Sequence, residues 1–187
     1  RKFNSNDIDV YQKIEEYSKT LIQQIDTMSS IASAFSNFAK MPAQQNETLN
    51  VVEVVNLALD IFTEDYLLFE CASQEIIAKL DRTQLIRIIT NLVKNAIQSI
   101  IHSQNPVIRI CLDDDEDNVI VTVSDNGHGI TEENKPKVFE PKFTTKTSGM
   151  GLGLPMIKNI IETYKGSIDF DSVEDSGTIF KVVLPKS

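Results

Sequence analysis

The chain has 187 residues and a formal net charge of -9, with 41% hydrophobic and 24% charged residues. That is room for one domain plus an appendage, with enough apolar side chain to bury a core. The negative balance argues against partners such as nucleic acid, whose phosphate backbone needs a positive surface, but not against a nucleotide held by local backbone donors and one metal. Cys71 and Cys111 have no paired spacing and read as reduced thiols. No apolar run approaches the ~20 residues of a membrane span, and the opening Arg1 suggests a piece of something longer.

Residues 9–41 are expected to form one long helix, roughly 48 Å at 1.5 Å per residue. Tyr11, Ile14, Leu21, Ile25, Met28 and Phe35 recur at helical spacing, and Tyr17, Ile22 and Phe38 widen the stripe to that of a bundle helix in need of partners. A lid helix folded over the globular part would use the same stripe. Pro42 and the polar Ala-Gln-Gln-Asn-Glu run end the helix and begin a linker.

Val51 to Phe62 has helical spacing, Tyr66–Cys71 and Glu75–Leu80 suit strands, and Asp81 to about Ile101 is a helix. Asn105-Pro106 marks a turn, and Val107–Leu112 and Val119–Ser124 alternate as paired strands around an acidic turn, Asp113–Asp117. A loop-rich region runs from Asp125 to Met150. A helix, Leu152–Tyr164, and two strands, Ser167–Asp171 and Thr178–Leu184, complete the chain. The pattern predicts an α+β fold, a helical layer against a mixed sheet.

Four segments carry groups suited to chemistry. On the helix of residues 82–97, Asn91 and Asn95 lie four apart and project from one side, with Lys94 beside them. Asparagine is a poor helix former, so two in an apolar helix need a reason, although a solvated polar face would supply one. Asp-Asn-Gly-His-Gly-Ile, residues 125–130, ends a strong strand. Asp125 there could accept from a ligand amino group, while Gly127 and Gly129 permit close backbone approach; an ordinary Asp-Asn-Gly turn has the same letters. Val-Phe-Glu-Pro-Lys-Phe-Thr-Thr-Lys, residues 138–146, could close over phosphates with Phe139 and Phe143 as anchors, or be a surface loop with aromatic staples. Ser-Gly-Met-Gly-Leu-Gly-Leu-Pro, residues 148–155, places three glycines before a helix N-terminus, where anions are favoured. It is neither a P-loop nor a dinucleotide fingerprint.

In this order over about seventy residues, the four segments together resemble the nucleotide boxes of the sensor histidine kinase catalytic domain. That domain belongs to the superfamily of gyrase B subunits, mismatch-repair ATPases and heat-shock chaperones. The resemblance runs from about Asn46 to Pro185. Phe-Ser-Asn-Phe-Ala-Lys-Met-Pro, residues 35–42, is similar to the second dimerisation helix of nitrogen-regulation (NtrY-like) sensor kinases.

The resemblance implies a two-layer α/β sandwich, with residues 1–42 as one helix of the dimerisation hairpin and 43–187 as the ATP-binding domain. Asp125 would accept from the adenine amino group, with Gly127, Gly129 and Ile130 along the base. Asn95 would give its amide oxygen to Mg²⁺. Asn91 and Lys94 would lie near the phosphates, with Phe139, Thr144, Thr145 and Lys146 in the lid. Gly149, Gly151 and Gly153 would wrap the phosphates, held down by Leu152 and Leu154. Asn91, Lys94 and Lys146 would be the catalytic groups.

Asn91 stands where hydrolytic relatives carry a glutamate that activates water, and an amide is no general base near neutral pH. That favours transfer to a histidine over hydrolysis. Neither His102 nor His128 has the acceptor's sequence setting, so the resemblance implies an acceptor on the missing dimerisation helix. It also implies a homodimer in the full-length protein, a response-regulator receiver domain as partner, and a cytoplasmic position in a bacterial inner-membrane sensor. Met150, Lys142 and Tyr164-Lys165-Gly166 depart from the family's common residues. A serine-directed kinase of the same superfamily, or a nucleotide-gated dimerisation module without transfer activity, are the alternatives.

Overall fold

The computed structural model describes residues 13–25, 28–29, 44–101, 103–141 and 151–187. The chain divides into two units, Arg1–Pro42 and Ala43–Ser187. In the first, residues 13–25 form helix α1, and Ile14, Tyr17, Leu21, Ile22 and Ile25 on it are all exposed. The rest of the helix expected over 9–41, apart from the helical residues 28–29, lies outside the described residues. No helix among the described residues is long and apolar enough to cross a membrane.

The second unit opens with strand β1 (Glu47–Asn50), where the sequence suggested linker. It pairs antiparallel with β3 (Ile77–Leu80), and Leu49 is the side chain it buries. Asn50 then caps α2 (Val51–Leu59), its side-chain oxygen accepting from Val52 N at 3.1 Å and from Ile76 N at 3.2 Å. One asparagine thus starts a helix and ties it to the strand that follows in space.

The main sheet has the order β2-β4-β5-β7-β6, from β2 (Leu67–Cys71), β4 (Ile108–Asp114), β5 (Asn118–Asp125), β6 (Ser167–Val173) and β7 (Gly177–Pro185). β2 runs parallel to β4 and the other pairs are antiparallel, so the sheet is mixed as expected. β4 and β5 reach further into the acidic segment than their apolar letters indicate. Asp115 closes the turn, its Oδ1 accepting from Asp117 N at 2.9 Å and Asn118 N at 2.7 Å.

Period-two alternation sends Ile108, Ile110 and Leu112 of β4 and Val119, Val121 and Val123 of β5 inward. Helix α3 (Arg82–Ser99) lies over β4, β5 and β7, burying Leu85, Ile88, Ile89, Leu92, Val93 and Ala96. α4 (Gly153–Thr163) covers β6 and β7 and buries Pro155, Ile157, Ile160 and Ile161, while α2 packs on α3. The result is helices over a mixed sheet.

Asp81 caps α3 through Gln84 N at 3.0 Å, and its other oxygen accepts from Gln45 N at 2.8 Å. Its own amide donates to the Tyr164 hydroxyl at 3.0 Å, and that hydroxyl donates to Asn46 at 3.2 Å. Tyr164, standing in the departing turn, therefore joins the end of α4 to the start of α3.

Candidate functional site

β5 delivers Asp125 to the end of the sheet nearest the last turn of α3. Its Oδ1 accepts from the Ser99 hydroxyl at 2.7 Å and from Gly127 N at 2.9 Å. Burial pushes the Asp125 carboxyl above the usual carboxylate range. The Ser99 hydroxyl, the Gly127 amide, the charge of His128 and the Thr178 amide pull against that burial.

The backbone after Asp125 rests on the β6–β7 hairpin. Asp175 N donates to His128 O at 2.8 Å, and Ile130 N donates to Ser172 Oγ at 2.8 Å. Ser172 is buried, with Gly177 O at 3.0 Å and Thr178 Oγ1 at 2.9 Å from its hydroxyl. Gly129 has φ +67°, and a β-carbon there would collide with the Val173 carbonyl. One at Gly127 would collide with Ser99. Both glycines are therefore needed for the protein's own close packing. Ser99, Ser172 and Thr178 carry no motif signal, and only their places in space connect them to Asp125 and Ile130.

On α3, Asn91 Nδ2 donates to Arg87 O at 2.8 Å, which leaves its Oδ1 turned toward Gly153. Lys94 is exposed one turn on, and Asn95 is half-buried. The Asn95 Nδ2 is buried with no hydrogen-bond partner among the described residues. An amide held there without an internal bond fits a ligand-facing role, and its oxygen is the hard donor magnesium accepts. No group of three or more His, Cys, Asp or Glu among the described residues could hold a metal. A magnesium at Asn95 would therefore complete its shell with ligand oxygens and water.

Gly151 has φ +62°, Leu152 is buried, and Leu154 and Gly153 are half-buried. Leu152 occupies the N-cap of α4, with no side-chain cap bond. The first amides of α4 are thus uncapped by a side chain, an arrangement suited to an anion. Phe139 packs edge-on against Phe170, centroids 5.8 Å apart, and the Lys158 ammonium lies 5.1 Å from the Phe139 ring centre. The start of the 138–146 segment is thereby pinned to β6 and α4. Thr144, Thr145, Lys146 and Gly149 lie outside the described residues, as do Lys142, Phe143, Met150 and His102.

One wall of the site is thus a carboxylate at the end of β5, before a hairpin-supported loop, and the other is an amide-bearing helix facing a glycine loop. The family described as histidine kinase-, DNA gyrase B-, and HSP90-like ATPase matches residues 80–187. A putative NtrY-like sensor histidine kinase of Rickettsia bellii is 30% identical over 97% of this chain, and the chain spans 30% of that relative's length. The solved catalytic domain of histidine kinase ThkA is 34% identical, with a TM-score of 0.68, over 76% of this chain and 96% of its own. Histidine kinase ThkA in complex with response regulator protein TrrA is 26% identical, with a TM-score of 0.73, over 93% of this chain and 52% of that one. The chain belongs to the histidine kinase-, DNA gyrase B- and HSP90-like ATPase family, as an ATP-binding catalytic domain of the sensor histidine kinase type.

Proposed function

We propose that this chain binds Mg-ATP between Asp125 and the α3 amides and positions the γ-phosphate for attack by a histidine of the dimerisation domain. The observation that carries the reading is Asp125, a half-buried carboxylate with one oxygen already held by two donors. Its other oxygen has capacity for a base amino group. Asn95 would hold magnesium, which when bound neutralises phosphate charge and orients the triphosphate. Lys94 adds a positive charge on the same helix, and the uncapped amides of α4 receive phosphate oxygens. Thr144, Thr145 and Lys146 would close over them, with Phe139 as the anchor of that segment, and Gly149, Gly151 and Gly153 would wrap them.

Asn91 supports transfer over hydrolysis. Its amide nitrogen is committed to Arg87 O, and no amide oxygen draws a proton from water near neutral pH. The nucleophile would be an imidazole nitrogen, and its attack on phosphorus releases ADP; catalysis is then chiefly positioning. Residues 1–42 would be one helix of the dimerisation hairpin, and the exposed apolar side chains of α1 support a partner helix and a homodimer. A response-regulator receiver domain would take the phosphoryl group onward, with this domain on the cytoplasmic side of a bacterial membrane sensor.

Calorimetry with ATP, with and without magnesium, tests the pocket. Incubation with γ-labelled ATP and a separately supplied acceptor-helix domain tests the transfer. Acid-labile label on that domain, and none on this chain, is the expected result. Acid-stable label would assign a serine-directed kinase instead, and binding without transfer would assign a nucleotide-gated module.

A further inference from the structure

We infer that Ser99 is a positioning residue for base selection. Its hydroxyl fixes one oxygen of Asp125 so that the other is presented to an exocyclic amino group and repels a base with a carbonyl there. The inference rests on the reading of Asp125 as the base acceptor.

Asp125 Oδ1 takes two hydrogen bonds, from Ser99 Oγ at 2.7 Å and Gly127 N at 2.9 Å. Those use the two lone pairs of that oxygen, so Oδ2, even with the Thr178 amide close by, is the atom with room for another donor. The Ser99 hydroxyl has one proton and two acceptors within reach, because Ala96 O is also at 2.7 Å. An ionised carboxylate is the stronger acceptor, so the proton goes to Asp125. Ser99 is itself held in place. It ends α3, its carbonyl accepts from His128 N at 3.2 Å, and Gly127 packs so closely that a β-carbon there would strike the Ser99 hydroxyl and carbonyl.

An anionic carboxylate only accepts. The 6-amino group of adenine donates to it, whereas the 6-oxo group of hypoxanthine is a second acceptor and is rejected, an unpaired contact of the kind that discriminates most strongly. Without Ser99 the carboxylate keeps the Gly127 and Thr178 amides but loses the hydroxyl that helps fix its plane. It can then turn away from a carbonyl, so the preference for an amino group weakens.

The test is calorimetry on the full 187-residue chain with Mg-ADP and Mg-IDP, comparing the unaltered protein, Ser99→Ala and Asp125→Asn. The unaltered protein should prefer ADP. Ser99→Ala should weaken ADP binding about tenfold and IDP binding far less, so that the ratio of the two dissociation constants falls about tenfold. Equal weakening of both ligands, or an unchanged ratio, overturns the inference, because a merely structural role moves both together. No preference in the unaltered protein, or one that survives Asp125→Asn, sinks the reading of Asp125 itself. A preference that depends on Asp125 but not on Ser99 sinks only the positioning role. Should circular dichroism show Ser99→Ala unfolded, Ser99→Cys, which is close in size and a weak donor, carries the same comparison.

Discussion

The side-chain oxygen of Asn91 on α3 lies within 2.9 Å of where a β-carbon on Gly153 would stand, so the amide and the first residue of α4 share one small space. Asn91 gives way only by straining or breaking the bond from its nitrogen to Arg87 O. Gly153→Ala also cuts the freedom of the unfolded chain, a gain of about 0.4–1 kcal/mol where the native backbone suits alanine, which offsets much of the crowding. Stability in urea should therefore stay within about 1 kcal/mol of the parent. Nucleotide affinity should fall about tenfold as Asn91 is displaced, read by calorimetry. A variant that binds normally would show that the Asn91 position is irrelevant to the ligand.

Asp125 gives a prediction with a pH sign. Burial raises its carboxyl pKa in the folded chain, so the folded state holds that proton more tightly than the unfolded chain does. This group's stabilisation is complete below the ordinary carboxylate range and disappears as pH rises through the raised value. At neutral pH the fold carries the cost of a desolvated anion. Asp125→Asn keeps an oxygen for Ser99 and Gly127, so it should melt higher than the parent at neutral pH. The gap should close on acidification. Nucleotide binding by the parent should weaken over the same acid window, and the variant should bind poorly throughout. A variant that melts lower at neutral pH contradicts the account.

Asn95→Ala removes an amide nitrogen that is buried without a partner among the described residues. The unliganded protein should lose less than about 1 kcal/mol, since no internal hydrogen bond is broken. Binding measured in magnesium and in EDTA should differ strongly for the parent and little for the variant. An undiminished magnesium effect would move the metal elsewhere.

Ser172→Ala should destabilise the chain by about 1–3 kcal/mol, because the Ile130 amide is left without its partner. Ser176→Ala, at an exposed position in the same hairpin turn, serves as the control and should be near neutral. Urea unfolding of the two variants checks both. Equal effects would mean that the bond from Ile130 contributes nothing.

The parts of this fold legible in the sequence are those where one face repeats. Leu85, Ile89, Leu92, Ala96 and Ile100 mark the buried side of α3, and the β4–β5 alternation marks the inner face of the sheet. β1 is hidden because Glu47, Thr48 and Asn50 surround its single buried apolar residue, Leu49. Asp125, Asn91 and Asn95 are legible as motif letters. Ser99 and Ser172 are not, because their partners lie 26 and 42 residues away along the chain, and a hydroxyl in a helix or strand has no local signature. In letters alone, Gly127 and Gly129 read as room for a ligand. Against Ser99 and Val173 they are room for the protein itself.

β7 follows every other strand in the chain, yet it sits inside the sheet with β5 on one side and β6 on the other. During synthesis β5 must wait with an unpaired edge until the segment from Gly177 onward emerges from the ribosome. Only then does the hairpin exist on which Gly129 and Ile130 rest. The loop after Asp125 is therefore the last part of the domain to mature, and a nascent chain stopped short of β7 has a sticky strand and nothing for that loop to rest on.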